Sequence, residues 1–203
     1  MARTSKHHPA NPTIALVGDG QTERFYFADV RDTDRPKGLS IFPDYPRKIG
    51  SYKGVLDRAL SLVGIYDRVY ALIDVDKILQ DHQQAIYAQD KLAAAAAGVI
   101  VLENNPCFEI WLLVHYLDTG RLFNRCNEVS DALKVKDRIP NYDKSEKFLR
   151  SNRLYKISKD RIIKLAIPHA RKLEVDRENR SPQYPRAETF RFFEWYLQQN
   201  GEF

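Results

Sequence analysis

Four short apolar runs punctuate the first hundred residues, each ending in a polar or glycine-bearing turn and each followed by a stretch with helical spacing. Ile14 to Gly18 reads as a buried strand that Asp19-Gly20 turns out of the sheet. Thr22 is the expected N-cap of a helix over Glu23 to Val30, with Phe25, Tyr26 and Phe27 as its apolar face. Leu39 to Phe42, between Gly38 and Pro43, makes a short second strand. From Ser51 to Val63 the apolar positions Val55, Leu56, Ala59, Leu60 and Val63 form a helical stripe that stops at Gly64. Val69 to Ile73 is the third strand, and Gln80 to Ala97 is a helix closed by Gly98. Val99 to Leu102 is the fourth strand, and Pro106 opens a helix that runs through Trp111, Leu112, Leu113 and Tyr116 to Thr119.

Alternation of this kind predicts an α/β fold: a Rossmann-like parallel sheet of about four strands, right-handed crossovers and helices on its faces. Beyond residue 120 the spacing is helical, over Asn127 to Lys134, Lys144 to Arg150, Lys159 to Leu173 and Arg186 to Gln199, with Pro140, Pro182 and Pro185 as punctuation. The expected organisation is therefore an α/β core over 13–120 and a helical extension over 121–203 packed on it.

Charge sharpens that division. Residues 1–110 carry 13 Lys/Arg against 14 Asp/Glu, whereas residues 111–203 carry 19 against 13, so the net charge of +5 belongs to the second half. A basic half beside an acidic one suits a polyanionic partner. Two cysteines, Cys107 and Cys126, cannot furnish a four-ligand zinc site, and the expectation is free thiols in a reducing cytoplasm, with Cys107 a small buried residue. Met1 to Pro12 lacks the apolar stretch of a signal peptide and should be frayed, and no run is long enough to span a membrane.

In parallel sheets, ligands collect at the carboxyl ends of the strands. Asp19 lies at that end of the first strand, Asp74 and Asp76 at that of the third, and Glu103 with Asn104 and Asn105 at that of the fourth. The spacing of Asp74 and Asp76 lets both carboxylates project from one strand end, and the acids should converge. Carboxylates crowded together repel unless a cation joins them, and oxygen-only ligands favour Mg2+ or Mn2+, the ions of phosphoryl transfer. Glu23, one turn into the first helix, faces the same crevice or else simply complements the helix dipole. The Gly18-x-Gly20 turn lacks a following Gly-Lys-Ser/Thr, which excludes a P-loop. His115 reads as a packing residue.

Gly18-Asp19-Gly20-Gln21-Thr22-Glu23-Arg24-Phe25-Tyr26-Phe27, the Asp74-x-Asp76 strand end and the string Asn105-Pro106-Cys107-Phe108-Glu109-Ile110-Trp111 together resemble the RloB-like family. The resemblance implies a Toprim-type catalytic fold from prokaryotic restriction and abortive-infection loci. It implies that Asp19 serves metal binding or acid/base work, that Asp74 and Asp76 bind magnesium, and that Glu23 and Glu109 are auxiliary acids. Asp19 stands where the family usually has Glu. A later Tyr-x-Lys element, Tyr142-Asp143-Lys144 or Tyr155-Lys156, and the Ala166 to Arg171 helix also resemble the family's basic C-terminal part.

Between Lys134 and Lys172, 13 basic residues face four acidic ones, with Tyr142, Phe148 and Tyr155 interleaved, which suits phosphate neutralisation and base stacking. Lys144, Lys147, Arg150, Arg153, Lys156 and Lys159 are the candidate nucleic-acid contacts, and Lys144, Lys156 and Lys159 compete for a place beside the metal. The expected protein is a magnesium-dependent nuclease in phage defence, acting as a homo-oligomer or with a partner protein. The alternative is a nucleic-acid or nucleotide sensor with a degenerate acid site.

Overall fold

Apolar side chains on both faces of Thr13–Val17 (β1) and Arg68–Asp74 (β3) demand cover from helices on each side, and these strands occupy the middle of the sheet. The computed structural model describes residues 12–36, 40–44, 50–178, 181, 184–199 and 201. The strand order is β2-β1-β3-β4-β5, in which Ser40–Asp44 (β2), β1, β3 and Val99–Asn105 (β4) are parallel. A two-residue strand, Arg186–Ala187 (β5), adds antiparallel to β4, pairing Ala187 with Asn104.

The pleat sends alternate residues to opposite faces. Ile14, Leu16, Tyr70, Leu72 and Leu102 face one core, with Gln21–Asp34 (α1), Glu109–Leu113 (α5) and the C-terminal helices packed over them. Ala15, Val17, Val69, Ala71, Ile73, Val99 and Val101 face the other, covered by Tyr52–Leu60 (α2) and Gln84–Ala96 (α4). The C-terminal elements are Cys126–Leu133 (α6), Glu146–Asn152 (α7), Leu154–Ser158 (α8), Ile167–Glu178 (α9) and Thr189–Gln199 (α10). Their apolar residues Leu149, Leu154, Tyr155, Ile167, Phe192 and Phe193 belong to the same buried cluster as β1 and β3, so they pack directly on the core.

The expected strands are all present, and the α/β architecture with its helical C-terminal part holds. Several boundaries move. The first helix begins at Gln21 with Gly20 in the extended N-cap position and no side-chain cap, so Thr22 lies inside the first turn and does not cap it. Ser51 does cap α2, accepting from the Gly54 N–H. The span from residue 76 divides into Asp76–Gln80 (α3) and α4, because His82 takes a left-handed backbone with φ 54° that a continuous helix excludes. Pro106 follows a cis bond from Asn105, and the helix starts only at Glu109; it ends at Leu113, short of Thr119. The span from Lys159 is a 3-10 turn, a π-helical turn over Ile162–Ala166 and then α9, while residues 186–187 join the sheet before α10 begins. Met1 to Asn11, Gly38, Leu39 and Pro182 lie outside the described residues.

Cys107 and Cys126 form a disulfide, which corrects the expectation of free thiols: the turn before α5 and the start of α6 meet across 19 residues of sequence. No helix among the described residues is long and apolar enough to cross a membrane.

Aromatic rings join the halves. Phe193 on α10 is fully buried, stacked on Trp111 with centroids 5.2 Å apart and on Tyr155 at 5.9 Å, while Tyr26 meets Phe193, Phe108 and Tyr155 edge-on. Trp111 Nε1 donates to the Tyr26 hydroxyl at 3.0 Å, so the indole is both packed and satisfied. Phe193→Ala should therefore lower stability by about 3–5 kcal/mol in urea unfolding. A loss below about 1 kcal/mol would show that the ring does not centre this packing.

Candidate active site

Four carboxylates meet at the carboxyl edge of β1 and β3. Asp74 is the last residue of β3 and accepts a hydrogen bond at 2.8 Å from the Phe108 N–H, which fixes one oxygen against the turn after β4. Asp76 is not on the strand: it is the first residue of α3, its own N–H donating to Pro106 O and its Oδ1 accepting from the Lys77 N–H. The two acids still share one hollow, because Val75 N–H is tied to Asn104 O and holds the turn against β4. Asp19 is exposed in the β1–α1 turn and accepts from the Gly50 N–H at 2.8 Å. Glu23, in the first turn of α1, is 3% exposed and folds back over Gly20, where a Cβ would collide with its Oε2. A larger residue there would push the Glu23 carboxylate, the free end of a flexible side chain, out of this position. The Gly20 φ is −101°, which any residue adopts.

Asp19, Glu23, Asp74 and Asp76 line a hollow of about 270 Å³ together with Lys144. An adjoining hollow of about 520 Å³ shares Glu23, Asp74 and Lys144 and adds Gly20, Thr22 and Glu109. The two hollows place all five of these acids together; Glu109 differs from the others in its surroundings. It is 1% exposed at the start of α5, and its Oε1 receives the Thr22 hydroxyl at 2.9 Å, the Tyr142 hydroxyl at 2.8 Å and Lys144 Nζ at 2.9 Å. A buried carboxylate with three donors is fully satisfied within the protein. The Cys126 sulfur lies 3.0 Å from its other oxygen and within 3.0 Å of Lys144 Nζ, so the disulfide walls this corner. Cys107, Glu109 and Cys126 are close enough to suggest a metal site, but disulfide sulfurs do not serve as thiolate ligands.

Glu103 does not join the cluster. It sits opposite Ile73 in the β3–β4 register, hence on the face away from Asp74. There it accepts from Tyr87 Oη at 2.8 Å and Lys91 Nζ at 2.8 Å and pairs with Arg186. Asn104, one residue on, faces the other way and accepts from the Thr189 hydroxyl at 3.1 Å. The pleat separates the neighbours.

Crowding leaves its mark on protonation. Burial, then the Glu109 charge, pushes the Glu23 carboxyl up from 4.5 to about 7, against the pull of its own backbone hydrogen bond and of Lys144. Burial and the Glu23 and Glu109 charges raise Asp74 well above its ordinary value, and burial raises Asp76 as well. Negative charge here exceeds what the Lys144 ammonium balances, and the exposed or partly exposed oxygens of Asp19, Asp74 and Asp76 are of the kind a hard divalent cation takes. The residues present fit Mg2+ or Mn2+.

The model of the family described as RloB-like protein matches residues 14–192, a span that includes every acid of the cluster. The chain belongs to the RloB-like family. No curated protein and no solved structure matches the chain.

In this RloB-like chain the basic segment divides. Lys144 reaches the acid cluster, whereas Arg153 is held by Asp29 at 2.7 Å and by Thr33, and Lys159 by Asp34 at 2.7 Å, ties that fasten the C-terminal helices to α1. Lys156 is exposed, its backbone N–H also bound to Asp29; Lys147 is exposed on α7, and Arg150 forms an exposed pair with Glu146. Tyr142 and Tyr155 are not stacking rings: both are buried, the first serving Glu109 and the second donating to Asp34, while Phe148 packs edge-on against Tyr142. His115 is buried, its Nδ1 donating to Trp111 O at 2.8 Å, and burial depresses it to about 4, so it stays neutral. Sequence reasoning missed Thr22 and Tyr142 as partners of Glu109. The Tyr142-Asp143-Lys144 element was the one signal that could have found the second.

Because folded Glu23 holds its proton more tightly than an unfolded glutamate, it costs stability as pH rises from 4.5 to about 7, and the cost is complete above 7. In metal-free urea unfolding, Glu23→Gln should gain about 2–3 kcal/mol on the wild type between about pH 4 and about pH 8. Stability curves that stay parallel would remove this assignment.

Proposed function

We propose that the protein is a metal-dependent phosphodiesterase that cleaves nucleic acid, with Toprim-type chemistry and a role in prokaryotic anti-phage defence. The observation that carries this reading is the gathering of Asp19, Glu23, Asp74 and Asp76 around one hollow beside Lys144. Asp19, Asp74 and Asp76, with Glu23 behind them, would hold Mg2+ or Mn2+. Such an ion, when bound, activates a water and stabilises charge on a phosphate.

The chain's own groups supply the rest. Glu109 holds the Lys144 ammonium at the rim of the hollow, where it can neutralise a phosphate oxygen. The α1 N-terminus opens on the adjoining hollow through Gly20, Gln21 and Thr22, and its dipole favours an anion. Thr22 and Tyr142 fix Glu109 and so position the lysine indirectly. The basic surplus of residues 111–203 suits a polyanionic substrate.

One observation favours a second reading, a nucleic-acid or nucleotide sensor with a degenerate acid site. Asp19 is exposed and tied to the Gly50 N–H, at the rim of the cluster. Labelled DNA and RNA incubated with Mn2+, Mg2+ or chelator decide between them. Cleavage that requires the cation and falls at least about 10³-fold in Asp74→Asn is expected for the enzyme, a loss of roughly 4 kcal/mol in transition-state stabilisation. Binding without cation-dependent cleavage, and no effect of Asp74→Asn, would leave the sensor.

A further inference from the structure

Away from the acid cluster, a groove of about 440 Å³ runs between α1 and α7, with Phe25 in its wall and Arg24, Arg31, Arg150 and Arg153 around it. On α1, positions 24, 28 and 31 share one flank, while Tyr26, Phe27 and Val30 are buried on the other. Phe25 is thereby left partly exposed, unlike the aromatic residues that follow it. The Arg150 guanidinium stands 5.1 Å from the Phe25 ring centroid and that of Arg24 5.8 Å. Among the described residues Arg24 has no carboxylate partner, and the Arg150–Glu146 and Arg31–Asp32 pairs are exposed enough to exchange for other anions at little cost. Only Arg153, held by the buried Asp29, is committed to the fold.

We propose that the α1–α7 groove binds a single-stranded nucleic acid, its phosphates on Arg24 and Arg150 and an unpaired base on the Phe25 ring. An aromatic ring between exchangeable guanidinium groups matches the two surfaces of an unpaired nucleotide, the π-face of the base and the phosphate. A duplex keeps its bases stacked inside and offers nothing to Phe25. The groove follows α1 from Arg24 to Asp32, about 12 Å at the helical rise, room for a few nucleotides. It begins one residue from Glu23, and α7 is entered through Lys144 and Ser145, which line the acid hollow, so a strand in the groove would lead toward the acid cluster. The proposal rests on the nucleic-acid reading above and narrows it to unpaired strands.

The test is fluorescence anisotropy of the full-length protein with labelled oligonucleotides of about 12 nucleotides, as single-stranded DNA, single-stranded RNA and duplex, in chelator and low salt. Tighter binding of either single strand than of duplex is expected, weakened about tenfold by Phe25→Leu. Arg24→Glu with Arg150→Glu should weaken it further and flatten the logarithmic salt slope by about 1.4, two phosphates' worth. Phe25→Leu keeps the apolar contact with the core, and the arginine changes are at the surface, so thermal melts can show that each variant folds. Equal affinity for duplex, or affinity unchanged in all three substitutions, overturns the proposal. No divalent cation is present, so these titrations stand whether or not cation-dependent cleavage is found, and a failure of either leaves the other readable.

Discussion

A carboxylate removed from water must be met by donors, and at Glu109 those donors come from two distant parts of the chain. Thr22 arrives from the first turn of α1, Tyr142 and Lys144 from the segment before α7, and Glu109 itself opens α5. Left without them, the charge would be costly enough to change its protonation or open the fold. The same contact that satisfies Glu109 therefore sets where α1 begins relative to the C-terminal helices. It also determines which lysine reaches the acid edge. Of the candidates Lys144, Lys156 and Lys159, only Lys144 lies there; Lys159 is anchored on Asp34.

Around that contact the sheet arranges acids by parity. Asp74 and Glu103 both come at the ends of apolar strands, and the cross-strand register differs by one residue between them. One residue in a pleat is the difference between faces, so Asp74 joins Glu23 and Glu109, whereas Glu103 is neutralised by Lys91 and Arg186 under α4. Asp76 escapes the parity rule because the strand has already ended, and α3 turns its carboxylate back into the hollow.

A comparable sorting separates structural from available cations and rings. Asp29 and Asp34 on α1 draw in Arg153, Lys159 and the Tyr155 and Tyr196 hydroxyls, which makes this part of the basic segment a clasp. What stays outside is the flank of α1 that bears Arg24 and Phe25, facing Arg150 across the groove. Charge counts along the chain cannot distinguish a clasp from a contact surface, since both need the same residue types.

The sequence by itself determined the alternation of strand and helix, the placement of Asp19, Glu23 and Asp74 near the open edge, and, through its motif strings, membership of the RloB-like family. Those features are local: an apolar run has one period, a turn one set of residues, and a strand one carboxyl end. Tertiary structure alone decided the pairings between segments far apart in sequence. It joined Cys107 to Cys126 and Tyr142 to Glu109, sent Glu103 away from Asp74, and split the basic segment between the fold and the surface. Each depends on where helices dock and in which register strands align, quantities set by burial of the shared aromatic core, and no stretch of residues carries them alone.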